Sequence, residues 1–494
     1  MLCDVRCGGY AGRFLARCLT ARFRLSTSAL CALVVVSLLF SAGTSDAKTL
    51  YVATDGDDAV SYADNNRTRP WRTIGRAAWG SSDRAAPIPG QAAQAGDTVI
   101  VAAGIYWENG DRDGGRFTVS LNPVNNGIAG NPITFRGEGL VYIRMNAGYR
   151  GGMIGSQGRD YIIWDHFQID DYYGGSTSDT GPVVFSGSNH CQILNCDIQG
   201  HRGSYHHGYV TFGGNYRGIS LEPANHTLIK NNRIHGFTGG QNEAGIMAYN
   251  SNHNLIENNE IYKNGQGVFI KGVHADWGFT QDNNVIRYNR FRDGNGVRVL
   301  GSKNAKVYQN LFVNSHMWAG WSMSENTMIV NNTFWGSRPN DAQLTPQGNE
   351  LRGVGVYNNV FADGHKVVYT WSGANPGKQD IRFDRNLYAG YTLFADLEDS
   401  FGRQTFAQWQ SRFKLDSNSL DGVDPRFVDA VNGNFRLQPE SPARTLGRDV
   451  LNITGRGTNA VIPAGAYITG DEVLGVVETS ASRQSRVIPA VGDR

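Results

Sequence analysis

Proline is scarce in this chain, 15 of 494 residues, and cysteine is scarcer at 6. Little proline, with glycine that keeps no three-residue period, excludes a collagen-like chain. Four cysteines (Cys3, Cys7, Cys18 and Cys31) precede residue 48, which leaves Cys191 and Cys196 in the segment HCQILNCDI. On one strand those two would stand ~16 Å apart, too far for a disulfide. A disulfide framework is therefore excluded, and two buried thiols are expected. Net charge is also nearly absent: 46 Lys and Arg against 44 Asp and Glu give +2. That leaves no general electrostatic footprint for nucleic acid. The apolar run at residues 29–42 is shorter than the ~20 residues a spanning helix needs. A P-loop, a dinucleotide fingerprint, zinc-ligand spacing and a nucleophile elbow are all missing.

What is abundant is glycine, 62 residues, and asparagine, 42, together about a fifth of the chain. With 40% hydrophobic and 11% aromatic residues, the chain can bury a large core and is not disordered. Many tight turns between short extended segments follow from this composition, so an all-β protein with many corners is expected.

Residues 1–47 read as an export leader. Arg6, Arg13, Arg17, Arg22 and Arg24 form a basic region, Ala29 to Ala42 an apolar one, and Ser45-Asp46-Ala47 a cleavage site. Cleavage would give a mature chain of charge near −1, with 41 basic and 42 acidic residues, secreted or periplasmic and without an integral membrane span.

A repeat of variable length fills the middle of the chain. LIKNNRI (228–234), LIENNEI (255–261), VIRYNRF (285–291), KVYQNLF (306–312), MIVNNTF (328–334) and GVYNNVF (355–361) share one pattern, with RFDRNLY (382–388) a looser copy. QILNCDI (192–198) and IWDHFQI (163–169) are earlier copies without the Asn. The equivalent position is Phe167, Cys196, Asn232, Asn259, Asn289, Asn310, Asn332, Asn359 and Asn386, at spacings of 29, 36, 27, 30, 21, 22, 27 and 27. A floor of 21–22 residues fits one coil of three short strands, longer coils carrying corner insertions. The segments alternate and are rich in β-branched and aromatic residues, as strands are. Asn at one corner of successive coils can stack at the strand spacing of about 4.8 Å and form an amide ladder. A second strand series precedes the motif: GISLEP (218–223), GIMAYN (245–250), GVFIKG (267–272) and GVRVLG (296–301). Two strand series with corner insertions describe a parallel β-solenoid.

These residues resemble the right-handed parallel β-helix family of exported carbohydrate-active proteins, over roughly 48–395. The opening, TLYVATDGDD with PWRTIGRAAW and AGDTVIVAAGIYWE, is similar too, and the resemblance implies a short helix capping the first coil, with Pro70 in its first turn. TFAQWQSRFKL (405–415) has helical spacing, and DPRFVDAVNGNFRLQPESPA (424–443) resembles the tail closing such proteins. The expected fold is a single-stranded right-handed parallel β-helix with an N-terminal helical cap and a C-terminal capping segment at 396–474, followed by a weakly ordered tail at 475–494.

Alternation in the second strand series sorts faces. Ile219/Leu221, Ile246/Ala248, Val268/Ile270 and Val297/Val299 point inward. The outward columns are then Ser220, Met247, Phe269, Arg298 and Glu222, Tyr249, Lys271, Leu300. Glu222, Tyr249, Lys271 and Arg298 are expected to cluster on one exposed face. Corner insertions add His201, Tyr205, His206 and His207, then Glu243, then His274, Asp276 and Trp277.

Lyases of this fold act on uronic acid polymers by β-elimination. Arg or a bound Ca²⁺ neutralises the sugar carboxylate, a base removes the adjacent proton, and an acid assists the leaving oxygen. Arg suits carboxylate recognition. A Lys beside a second cation is a competent base near neutrality. Lys271 and Arg298 fit those roles, with Tyr249 or His207 as the acid, and Glu222, Glu243, His206, His274 and Trp277 as substrate contacts. The residues leave the metal open. Motifs of the individual lyase and polygalacturonase families are missing: GNGVRVLGSKN (294–304) lacks paired carboxylates, and WSMSEN (321–326) stands where an Arg-His pair would fall. The expected activity is a lyase on an acidic polysaccharide, working as a monomer. The rivals are a glycoside hydrolase using carboxylates about 5–9.5 Å apart, a uronan C5-epimerase, and a glycan-binding protein without catalysis.

Overall fold

The computed structural model describes residues 46–108, 118–145, 151–170, 181–200, 216–238, 242–272, 281–320, 324–338, 341–348, 351–370, 379–398 and 401–475. The chain winds as a right-handed parallel β-helix. Each coil contributes to three parallel ladders. One coil uses Ala244–Ala248, Leu255–Glu257 and Glu260–Tyr262; the next uses Gln266–Lys271, Val285–Arg287 and the start of Arg290–Leu300. The third ladder, beginning at the residue directly after Asn232, Asn259, Asn289, Asn332 and Asn359, completes the coil that the sequence repeats outlined.

Like residues stack on like residues inside. In the first ladder Ile219, Ile246, Val268, Val297, Met317, Leu344 and Val368 are aligned in register and fully buried or nearly so. In the third, Phe291, Phe312, Phe334 and Phe361 lie face to face with ring centroids 4.9, 4.4 and 4.7 Å apart. Alternation turns every second side chain inward, and parallel register places it over its counterpart.

The asparagine ladder is continuous. Asn232, Asn259, Asn289, Asn310, Asn332, Asn359 and Asn386 are all 0% exposed. Each Nδ2 donates to the Oδ1 of the next coil, at 2.9–3.1 Å. Each backbone N–H donates to that same oxygen. The second amide proton reaches a carbonyl on the preceding coil. No amide atom is left over, which is why so polar a column can be buried. At the N-terminal end the Cys196 thiol replaces the amide, accepting from the Phe167 N–H at 3.4 Å. At the other end Asn386 donates to Asp416 at 3.2 Å. The residue before each ladder position holds a left-handed conformation, φ 51–64°, from His166 to Arg385. Asn tolerates that conformation, but Tyr288, Gln309 and Arg385 also occupy it.

Both ends are covered. The helix Ile74–Trp79 lies on the first coil, with Thr73 as its N-cap accepting from the Arg76 N–H at 3.0 Å. Pro70 therefore precedes the helix rather than opening it, and Thr73 supplies the cap instead. At the other end Phe406–Phe413 carries a capping box between Thr405 and Gln408 and buries Trp409 completely. The hairpin of Phe427–Asp429 and Asn434–Leu437 lies back along the coils, where Phe435 packs on Trp335 and Leu311. Cys191 and Cys196 are buried free thiols, both pushed up to about 12 by burial. Residues 1–45 of the expected leader at 1–47 and residues 476–494 of the expected tail at 475–494 lie outside the described residues. No described helix is long and apolar enough to cross a membrane.

Candidate functional site

The outer face of the first ladder carries the predicted columns in the predicted register. Ser220 pairs with Met247, Met247 with Phe269, and Phe269 with Arg298. Lys271 is the partner of Leu300. Close winding at this face requires glycine at positions 267 and 296, within the strands Gln266–Lys271 and Arg290–Leu300. A Cβ at Gly267 would lie 2.4 Å from the Gly296 carbonyl oxygen, and one at Gly296 2.7 Å from the Phe312 ring.

This face is not the exposed surface expected from alternation. Ser220 and Met247 are 0% exposed, Phe269 1% and Arg298 9%. Met247, Phe269, Leu300 and Ala244 form an apolar cluster outside the coil, with Tyr249 packed against it. Outward-facing is therefore not the same as solvated.

Two polar groups flank that cluster. In the first, Arg217 is buried and forms an ion pair with Glu222. The Arg217 guanidinium lies 5.1 Å from the Tyr249 ring centroid, and the Lys271 ammonium lies 5.2 Å from it. Tyr249 is thus bracketed by two cations. Lys271 also donates to Asn242 Oδ1 at 3.1 Å. Glu243, expected at a substrate surface, is 0% exposed.

The second group is centred on Arg298. Its guanidinium carbon lies 4.9 Å from the Phe269 ring centroid on the coil before and 4.3 Å from Trp318 on the coil after. Trp318 is the register partner of Arg298, as Phe269 is. The cation is sandwiched between two rings. Among the described residues no carboxylate pairs with it, and its Nε makes no hydrogen bond. Burial alone lowers its pKa to about 10, so it stays charged at neutral pH. A buried guanidinium without a counter-ion is costly to keep, and it is equipped to receive an anion.

Beside it stands His316, 5% exposed, with its ring stacked on Trp318 at 5.6 Å. Its Nδ1 lies 3.8 Å from Asp341 Oδ2, and its Nε2 has no hydrogen-bond partner among the described residues. Asp341 is paired with Arg338 at 3.0 Å.

Lys271 and Arg298 are not register partners. They approach the same Phe269 ring, at 5.6 and 4.9 Å, from different columns. The structure thus gathers Glu222, Tyr249 and Lys271 in one group and sets Arg298 in the next. His206, His207, His274 and Trp277 lie outside the described residues, as do His201, Tyr205 and Asp276. Sequence reasoning missed Arg217, His316, Trp318 and Asp341. A signal for two of them was present: in SHMWAG (315–320) Met317 and Ala319 alternate as Val297 and Val299 do, which marks Trp318 and His316 as outward. Without a leading glycine the segment does not match the other strands. Among the described residues no three His, Cys, Asp or Glu side chains converge on a metal-sized site, so no step is derived through Ca²⁺.

Residues 166–334 match the family model described as right handed beta helix region. No curated protein matches the chain. Among solved structures it is similar to pectate lyase Pel9A, at 13% identity over 86% of this chain and 97% of that one, with a TM-score of 0.46. It is also similar to a mannuronic acid specific family 6 lyase from human gut microbiota, at 14% identity over 76% and 92%, TM-score 0.45. The Azotobacter vinelandii mannuronan C-5 epimerase AlgE6 A-module matches at 13% identity over 67% and 91%, TM-score 0.42. At such identities the likeness is one of fold, and fold does not carry function.

Proposed function

We propose that the protein is an exported lyase that cleaves an acidic polysaccharide by β-elimination. The observation that carries this reading is Arg298: a buried guanidinium, over the rings of Phe269 and Trp318 and lacking a carboxylate partner among the described residues. The rings contribute no hydrogen-bond acceptor, and its Nε has no partner among the described residues, so its N–H groups are available as donors. A guanidinium edge matches a carboxylate in two parallel hydrogen bonds. Neutralising a uronate carboxylate makes the adjacent C–H acidic. Lys271, in its amine form, takes that proton. The C–H electron pair becomes the new C=C bond, the bond to the bridging oxygen breaks, and Tyr249 protonates the departing oxygen. Catalysis thus follows from charge neutralisation at Arg298, proton abstraction by Lys271 one coil before it and proton donation by Tyr249 one coil before that.

The test is a panel of alginate, pectate, glycosaminoglycans and bacterial exopolysaccharides, followed through the ultraviolet absorbance of the unsaturated product. Absorbance gained by the native chain and lost in Lys271→Ala at unchanged circular dichroism is expected. New reducing ends without absorbance would assign a hydrolase instead. Unchanged chain length with inverted uronates would assign an epimerase.

A further inference from the structure

Arg298 shares its compartment with a second buried group of unusual standing. His316 is 5% exposed, its Nε2 has no hydrogen bond among the described residues, and its ring shares Trp318 with the Arg298 guanidinium. Among the described residues, the charged groups facing it are Asp341 and Arg338, which lead into the following strand, and Arg298 on the preceding one. One carboxylate at 3.8 Å favours the imidazolium; two guanidiniums and burial oppose it.

We propose that His316 is the second arm of the Arg298 anion site, and that an anion bound at Arg298 brings a proton onto His316. This inference rests on the reading of Arg298 as an anion receptor and adds a coupling to it. Without an anion, burial pushes the imidazole down to about 4, so it is neutral across the ordinary range. A bound carboxylate or sulfate cancels the repulsion from Arg298 and places negative charge in a poorly hydrated compartment. Both changes favour the imidazolium, whose ring N–H then becomes a further donor beside the Arg298 edge. Linkage makes the effect reciprocal: if the anion favours protonation, protonation favours the anion. Affinity must then rise as pH falls from the bound pKa toward the free value of about 4, and level off below it. A rise of one pKa unit in the bound state corresponds to about tenfold in affinity.

The probe is inorganic sulfate, which stays fully ionised across this range, titrated into the full chain by calorimetry at about pH 7, 5.5 and 4. Pairs of buffers with different ionisation heats report protons taken up. Binding about tenfold tighter at about pH 4 than at pH 7, with net proton uptake on binding in the native chain, is expected. His316→Gln should bind sulfate with no proton uptake and a flat pH profile. Binding by the native chain with no proton uptake at any of these pH values would overturn this inference and leave the Arg298 reading standing. Unchanged binding by Arg298→Gln would overturn both. The proton count on the native chain decides the matter even where a variant fails to fold.

Discussion

The Arg298 guanidinium lies 4.3 Å from the centre of the Trp318 ring, its register partner one coil on. This contact supports a buried charge that no described carboxylate balances. If Arg298 receives the substrate carboxylate as proposed, stability and function pull in opposite directions at residue 298. Arg298→Met is expected to melt no lower than the native chain, because it removes an uncompensated buried cation while keeping volume. The same variant should lose binding to acidic polysaccharide. Arg298→Lys keeps the charge but not the planar fork, and should lose most of the binding as well. Thermal melts paired with binding isotherms check this; a large destabilisation in the Met variant would mean that the cation serves the fold.

Tyr249→Phe isolates one hydroxyl. The ring that Arg217 and Lys271 bracket at 5.1 and 5.2 Å is retained. If the phenol protonates the leaving oxygen, kcat falls by about 10²–10⁴-fold with KM little changed. Steady-state kinetics on the active polysaccharide provide the measurement, and an unchanged kcat removes Tyr249 from the reaction.

Asn310→Ala cuts the buried ladder. It removes the oxygen that accepts from both the backbone N–H and the amide of Asn289, and the donor to Asn332. Stranding those groups in the core is expected to cost about 3 kcal/mol. Asn304→Gly, on an exposed corner where the contact to Asn283 is 3.3 Å, should cost well under 1 kcal/mol, because glycine accepts the left-handed conformation. Denaturant unfolding of the two variants gives the comparison.

Asp416 closes the ladder, accepting from Asn386, Tyr388, Trp409 and Ser419. Burial raises its pKa from 3.8 to about 6 in spite of those donors. The native state then holds a proton that the unfolded chain releases between about pH 4 and pH 6. Its contribution is present below the unfolded pKa and is lost as pH rises through about 6, on the order of 2–3 kcal/mol in all. The stability difference between the native chain and Asp416→Asn should shrink in that direction across the window. A difference independent of pH would contradict the shift.

Asn at residues 232, 259, 289, 310, 332, 359 and 386 was readable as a ladder because a solenoid repeats one local solution, and repetition is visible in sequence. The alternation of Val268, Ile270, Val297 and Val299 was readable for the same reason, and it placed Phe269 and Arg298 on one outward column. The local sequence also carried the closing helix at 406–413, since its spacing and its Thr405–Gln408 cap are contacts between near neighbours.

What sequence alone could not reach depends on distances between coils and columns. Alternation says which way Arg298 points, but burial is decided by what packs over the face, and only the fold shows it 9% exposed. Alternation already set Lys271 and Arg298 in different columns on successive coils; only the fold shows both approaching one phenyl ring. His316 and Asp341 are 25 residues apart in the chain and meet only because the following coil returns to the same face. The one-dimensional repeat thus determined the coil and its ladder, through short-range and periodic interactions. The tertiary structure decided which outward side chains share a compartment, because that depends on coil stacking and on side chains brought together from distant parts of the chain.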